Sequence, residues 1–205
     1  MSQNHAVEFG GGFYAINSAL APYNLTIADN YAGDAGGAFA LNDVNMTLNN
    51  SILWDNTIDE IYQTTSSLTV QCCDVEGGYT GTGNINADPR FVSGIGSDYF
   101  LSQTASGDNL DSPCVNAGCQ QSSEVSYSTA EGSFHLNEAS TRTDRVADTG
   151  LADMGYHTFR NPTECCEIGC TINMPSHDFG PGDECYCDVL ICNNEFEDYV
   201  DTPVF

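Results

Sequence analysis

Ten cysteines, 29 acidic side chains and four histidines are the residues of this 205-residue chain whose chemistry could be put to use. Spacing decides which of them can act together. Asp144, Asp148 and Asp153 share one short segment with Gly150. Hard oxygen donors on a Gly-containing loop suit calcium, although no bidentate Glu follows where an EF-hand would need one. The bland alternative is a solvated acidic turn whose aspartates cap backbone amides. Asp29 and Asp55 sit at equivalent repeat positions, and stacked carboxylates are what glycoside hydrolysis needs. Each, however, precedes an Asn (Asn30, Asn56), which is ordinary turn chemistry. His5, His135, His157 and His177 are scattered, and no Ser–His–Asp set can be nominated. The chain has no Lys, and Arg90 lies in an Asp-Pro-Arg turn away from those carboxylates. No catalytic residue is therefore assigned.

Six of the ten cysteines fall late in the chain, at Cys165, Cys166, Cys170, Cys185, Cys187 and Cys192. An even, clustered set predicts disulfides and an oxidising compartment. Cys114 and Cys119 bracket a four-residue segment and suggest a small disulfide loop. Cys72 and Cys73, adjacent on a strand, would point to opposite faces and not pair with each other. Zinc is disfavoured, because the two-residue spacers of structural zinc sites are missing.

The net charge is −25. A surface this negative repels phosphate backbones and anionic membranes, which excludes nucleic acid as a partner. No stretch approaches the roughly 18 apolar residues of a membrane-inserting segment. Residues 1–12 lack the basic start and apolar core of a leader. Export together with that composition predicts a signal peptide and further repeats upstream.

A repeat must position these groups. Gly11-Gly12-Phe13-Tyr14-Ala15-Ile16-Asn17 matches Gly36-Gly37-Ala38-Phe39-Ala40-Leu41-Asn42 at an offset of 25. Asn24 to Asn30 matches Asn50 to Asn56 at an offset of 26, and a third copy runs Leu68 to Val75 at an offset of 22. In register, Leu20, Met46 and Leu68 form one column, Pro22, Leu48 and Val70 another, and Ile27, Leu53 and Val75 a third. Apolar residues at every second position mark strands with one buried face. Copies of one strand every 22 to 26 residues, without helices between them, predict a stacked coil in which each copy covers the next. Asn24 and Asn50 share a column, which reads as a structural Asn turn.

These segments resemble the right-handed parallel β-helix repeats of bacterial secreted and surface proteins, the pectate-lyase-like and polymorphic outer-membrane-protein superfamily. An ordered series strengthens the likeness: Asp74-Val75-Glu76-Gly77-Gly78, Asp88-Pro89-Arg90-Phe91-Val92, Asp98-Tyr99-Phe100-Leu101, Ser112-Pro113-Cys114-Val115-Asn116-Ala117-Gly118, Thr141-Arg142-Thr143-Asp144 and Asp153-Met154-Gly155-Tyr156-His157. It resembles the C-terminal end of such proteins, which often carry a variable anchoring tail. The resemblance implies an all-β fold with three to five β-helix rungs over residues 1–100, terminal rungs and a cap over 101–160, and the Cys-rich start of a β-sandwich-like module over 161–205. It implies a non-catalytic structural or adhesive protein, extracellular or at the cell surface, with polysaccharide or cell-surface glycans as partners and no cofactor beyond the calcium considered above. The alternative is a polysaccharide lyase or glycoside hydrolase with its catalytic rungs upstream.

Overall fold

Short apolar runs punctuated at fixed intervals by Asn, Asp and Gly form strands joined by tight corners. The computed structural model describes residues 1–129 and 132–159, and the backbone of two strands at 185–187 and 202–204. The chain divides into two units, Met1–Phe159 and Arg160–Phe205. The described residues are all-β, apart from single 3-10 turns at Thr104–Ser106 and Leu136–Glu138.

The first half of unit one holds β1 (His5–Ala6), β2 (Phe13–Leu20), β3 (Thr26–Ala28), β4 (Tyr31–Ala32), β5 (Phe39–Asn49), β6 (Ile52–Trp54), β7 (Ile61–Thr64), β8 (Ser67–Gln71) and β9 (Asp74–Val75). Every pairing among them is parallel: β1 with β4, β2 with β5, β5 with β7 and β8, β3 with β6, and β6 with β9. Leu20, Met46 and Leu68 stand in one register column, and Ile27, Leu53 and Val75 in another. Like residues therefore stack, and Ile27, Phe39, Leu41, Met46, Leu48, Leu53 and Val70 make a continuous buried core.

The Gly-rich segment departs from the sequence expectation by one residue. Phe13 pairs with Phe39 and Ile16 with Asn42, so the offset is 26 here too, not 25. A one-residue slip exchanges the two faces of a strand. In the observed register the Phe13 and Phe39 rings stack at 5.0 Å, and Ile16 is the side chain left 48% exposed. The third copy is shorter because it omits a corner: Tyr31 lies opposite Thr57 at an offset of 26, but Phe39 lies opposite Ile61 at 22.

Corners recur in columns of left-handed backbone. Asn17, Asp43 and Thr65 have φ of 48°, 55° and 48°; Asn24, Asn50 and Cys72 have 51°, 48° and 48°; Gln3, Asp29, Asp55 and Gly77 have 56°, 56°, 55° and 77°. Asn, Asp and Gly tolerate this geometry best, which accounts for most of these residue types.

Immediately after the third column runs an amide ladder. Asn4 donates to Asn30 Oδ1 at 2.9 Å, Asn30 Nδ2 to Asn56 Oδ1 at 2.8 Å, and Asn56 Nδ2 to Glu60 Oε2 at 2.7 Å. The same side chains also hold backbone groups, Asn30 Nδ2 the Ala28 carbonyl and Asn56 Nδ2 the Ile27 carbonyl.

The second half of unit one contains three antiparallel pairs: β10 (Phe91–Gly94) with β11 (Ser97–Leu101), β12 (Ser126–Thr129) with β13 (Gly132–His135), and β14 (Ala139–Ser140) with β15 (Thr158–Phe159). Part of this region covers the outer face of the β3-β6-β9 sheet, where Ile52 packs with Leu101, Cys114 and Met154. Gly155 permits that approach. It has φ of 88°, and a Cβ there would stand 2.7 Å from Thr26 Oγ1 and 2.8 Å from Ile52 Cδ1.

Unit two contributes β16 (Cys185–Cys187) antiparallel to β17 (Thr202–Val204). The expected disulfide candidates Cys165, Cys166, Cys170 and Cys192 lie outside the described residues, as do the side chains of Cys185 and Cys187.

Replacing Asn30 by Ala removes acceptors and donors on both sides of the ladder and strands buried partners. Urea denaturation of Asn30→Ala should show a loss of roughly 2–3 kcal/mol. Asn45→Ala, on the exposed side of β5, should stay within about 0.5 kcal/mol of the parent.

Candidate functional site

Three places bring polar side chains together. The first is a shallow groove of about 480 Å³ on the outer face, where β2 and β5 bend at the Asn17–Asp43–Thr65 corner. Asn17, Ser18, Asp43, Asn45, Thr65 and Ser67 line it in tiers set by the parallel register. Local hydrogen bonds shape the bend. Ser18 Oγ donates to the Ile16 carbonyl, Ser66 Oγ donates to the Thr64 carbonyl, and Ser66 Oγ accepts from Val44 N. Among the described residues, Asn17, Asp43 and Asn45 spend no side-chain hydrogen bond inside the protein. The groove thus presents small donors and acceptors at the strand spacing, suited to a hydroxyl-rich ligand.

The second is the corner expected to stack carboxylates. The register does place Asp29 beside Asp55, and Glu76 joins them, its Oε2 accepting from Asp55 N at 2.8 Å. Tyr99 Oη donates to Asp29 Oδ2 at 2.8 Å. Burial and then the charges of Glu76, Asp29 and Asp88 raise the Asp55 carboxyl above its usual range. Both aspartates occupy left-handed corners, so backbone geometry accounts for their type. Arg90, also left-handed, points its guanidinium at the Asp111 carbonyl. Nearby, burial pushes the Glu60 carboxyl up from 4.5 to about 7, and the Asn56 donors only partly oppose it.

The third is a cleft of about 270 Å³ whose lining includes Asp111, Asn116, Arg142, Asp148 and Asp153. It holds two of the three aspartates considered for calcium. Asp153 accepts from Asn116 N at 2.7 Å, from Gln103 Nε2 at 3.2 Å and from Thr141 Oγ1. Asp148 Oδ2 accepts from Asp153 N at 2.9 Å and faces His157 Nε2 at 3.1 Å. His157 Nδ1 faces the Gly155 carbonyl at 3.0 Å. Both ring nitrogens thus sit within hydrogen-bond distance of an oxygen. Burial, and then the Asp148 charge, raise the Asp153 carboxyl. Asp144 stands apart, bound by the Arg142 guanidinium at 2.9 and 2.5 Å. Burial would raise its carboxyl, but the Arg142 hydrogen bonds, the Val146 N–H and the Arg142 charge together outweigh that and hold it below the usual range. Among the described residues no cluster of three or more His, Cys, Asp or Glu is arranged to hold a metal ion. The oxygens of Asp148 and Asp153 are used to pin loops 103, 116, 141 and 157 together.

Sulfur chemistry differs from the sequence expectation. Cys119 is joined to Cys72, across 47 residues and with Cα atoms 5.6 Å apart, and not to Cys114. The reason lies in the Asn24–Asn50–Cys72 corner. The returning chain docks there, with Cys119 N donating to Asn50 Oδ1 at 3.0 Å and Gly118 N to the Ala152 carbonyl. Asn24 Nδ2 in turn donates to the Asp153 carbonyl at 3.2 Å. Cys114 points instead into the core, its thiol donating to Asp74 Oδ2 at 3.1 Å. Burial and the Asp74 charge push that thiol up, and burial pushes Cys73 up to about 12. Sequence spacing could not reveal these pairings, because partners lie 40 and 47 residues apart.

Comparison with protein-family models, curated proteins and solved structures returns no match.

Non-reducing peptide mapping should recover a Cys72–Cys119 linked pair with Cys73 and Cys114 as free thiols. Cys119→Ser should lower stability by roughly 2–4 kcal/mol, given the long loop the bridge closes. A pH titration of stability tests Glu60. Its native value lies above the unfolded one, so the native state binds more protons between 4.5 and about 7. Its contribution is complete below pH 4.5 and is lost as pH rises through about 7, a fall of roughly 3 kcal/mol. Glu60→Gln should flatten that slope, whatever its effect on absolute stability.

Proposed function

We propose that residues 1–159 form the last rungs and cap of a right-handed parallel β-helix in an exported, non-catalytic structural or adhesive protein of the cell surface. In this reading the outer groove contacts neutral, hydroxyl-rich glycans. The observation that carries it is the stacking of three copies of one turn in parallel register, with like side chains on like. Stacked repeats that bury one another's faces make a rigid extended scaffold. Three further features support the reading. The ordered segments from Asp74 to His157 resemble the C-terminal end of bacterial β-helix proteins. The Cys72–Cys119 bridge suits an oxidising compartment. A net charge of −25 turns away uronic-acid polymers and leaves neutral sugars as the better partners.

A second reading, a glycoside hydrolase, is favoured by one observation, the Asp29–Asp55–Glu76 corner with its raised Asp55 carboxyl. One experiment separates the two. The protein is titrated with neutral and acidic polysaccharides while the release of reducing ends is followed. The expected result is salt-insensitive binding of a neutral polysaccharide, weakened several-fold in Asn17→Ala/Asn45→Ala, with no product. Product formation that disappears in Asp55→Asn would replace the adhesive reading with the hydrolytic one. Absence of binding to either class would remove the glycan contact.

A further inference from the structure

Of the three columns of left-handed corners, two are occupied from within the protein. Asn24, Asn50 and Cys72 lie under the returning chain, which bonds Asn50 Oδ1 through Cys119 N and Cys72 through the disulfide. At Asp29, Asp55 and Glu76, Asp29 accepts from Tyr99 Oη and Glu76 from Asp55 N. The column of Asn17, Asp43 and Thr65 stays open to the outer groove, and Asp43 is exposed in it. Among the described residues its carboxylate accepts no hydrogen bond and forms no ion pair.

The fold does not account for a charge there. Asn17 and Thr65 take the same corner at φ of 48° in the tiers on either side, against 55° for Asp43, so a neutral residue suffices. Asn tolerates this backbone as well as Asp does. A further negative charge in a chain at −25 only adds self-repulsion. No neighbour compensates it either, because among the described residues Asp43 is the only charged side chain lining the groove. Asp43 stands in the middle tier. The strand that carries it, β5, has β2 on one side and β7 and β8 on the other, so a copy of the turn covers each side of it.

We infer that Asp43 selects the glycan taken by the groove, its two oxygens accepting hydrogen bonds from two adjacent hydroxyls of one sugar ring. This assignment rests on the glycan-contact reading of the same groove. A carboxylate only accepts, so its partner must bring donors, and its two oxygens match two donors held side by side. Around it, Asn17, Asn45, Thr65 and Ser67 both donate and accept, so they serve the ring and linkage oxygens, which only accept. A sugar whose free hydroxyls are not adjacent would leave one carboxylate oxygen desolvated without a donor. An unmet polar group of that kind is the stronger ground for rejecting a ligand.

Calorimetric titration of the full chain with two neutral polymers of glucose is the test. In a linear 1,4-linked glucan each ring keeps two adjacent free hydroxyls, and in a linear 1,3-linked glucan the linkage stands between them. The expected result is a preference of roughly tenfold for the 1,4-linked polymer. Asp43→Asn should lose that preference and bind both polymers alike. Asn holds this corner in the neighbouring tier, so the variant should keep the parent's urea midpoint. Equal affinity of the parent for the two polymers overturns the assignment, and so does an Asp43→Asn variant that keeps the preference. The glycan reading survives both of those results. Binding that weakens with salt and favours a glucosamine polymer also overturns it, in favour of an ammonium paired with Asp43. If the parent binds no polymer of any kind, the glycan reading falls and the assignment falls with it.

Discussion

The rest of unit one depends on register, and register is held by the amide ladder from Asn4 through Asn30 and Asn56 to Glu60. Hydrophobic burial supplies the larger free energy, about 1.5–3 kcal/mol for each large aliphatic side chain. It is non-directional, however, and a stack of similar strands offers several apolar alignments. The ladder is directional. Asn4 and Asn30 each bond the amide of the next copy, Asn56 bonds the Glu60 carboxyl, and Asn30 and Asn56 also hold a backbone carbonyl at their own corner. A slip by one residue would therefore leave the buried donors and acceptors of Asn30 and Asn56 unpaired. Magnitude comes from the columns, and uniqueness comes from the corner.

The ladder in turn rests on backbone handedness. A corner at positive φ turns the chain sharply and aims the next side chain along the stack, which is how Asp29 and Asp55 deliver Asn30 and Asn56. The acidic residue at the corner and the amide after it are one device. Its cost is electrostatic. Stacked corners bring Asp29, Asp55 and Glu76 together, and the buried ladder ends on a carboxyl that ionises only near neutral pH. Among the described residues no Arg forms an ion pair with this corner, and Tyr99 and a backbone N–H serve as its donors.

The columns through Ile27, Leu48 and Met46 were legible in the sequence because an apolar residue at every second position has only one structural meaning when it recurs at a fixed offset. The Gly10–Gly12 run was misaligned by one because glycines carry no side chain to mark a face, and only the Phe13–Phe39 stack resolves it. The Asn24 and Asn50 corner could be read from residue type. The stronger ladder one corner away could not, since Asp-Asn satisfies a turn in isolation and its reach to the next copy is a property of the stack. Cys119 was assigned to its neighbour in sequence because loop length was the available guide. Its true partner, Cys72, is set by where the chain returns after the β10–β11 hairpin and its loop. Asp144, Asp148 and Asp153 were grouped as one calcium loop, whereas Asp148 and Asp153 line one cleft and Asp144 stands apart on Arg142. What joins Asp148 and Asp153 is the Asp153 backbone N–H donating to Asp148 Oδ2, which spacing does not encode.

That returning chain also changes what the sheet can be. The β3-β6-β9 sheet is buried on both faces, with Ile27, Leu53 and Val75 inside and Ile52 under Met154 and Leu101 outside. Strict alternation of apolar and polar residues therefore fails at Ile52, and the failure marks the docking surface. Covering it requires polar loops to cross an apolar face, which leaves their backbone groups in need of partners. Asp153 meets that need by taking three donors from three different loops, while Asp148 receives the Asp153 amide and faces the His157 ring. Three of the buried carboxyls, on Glu60, Asp74 and Asp153, are raised by that burial. Each is a hydrogen-bond hub, and removing any of them would leave its donors stranded rather than relieve the charge. In this protein the buried acidic side chains are fasteners.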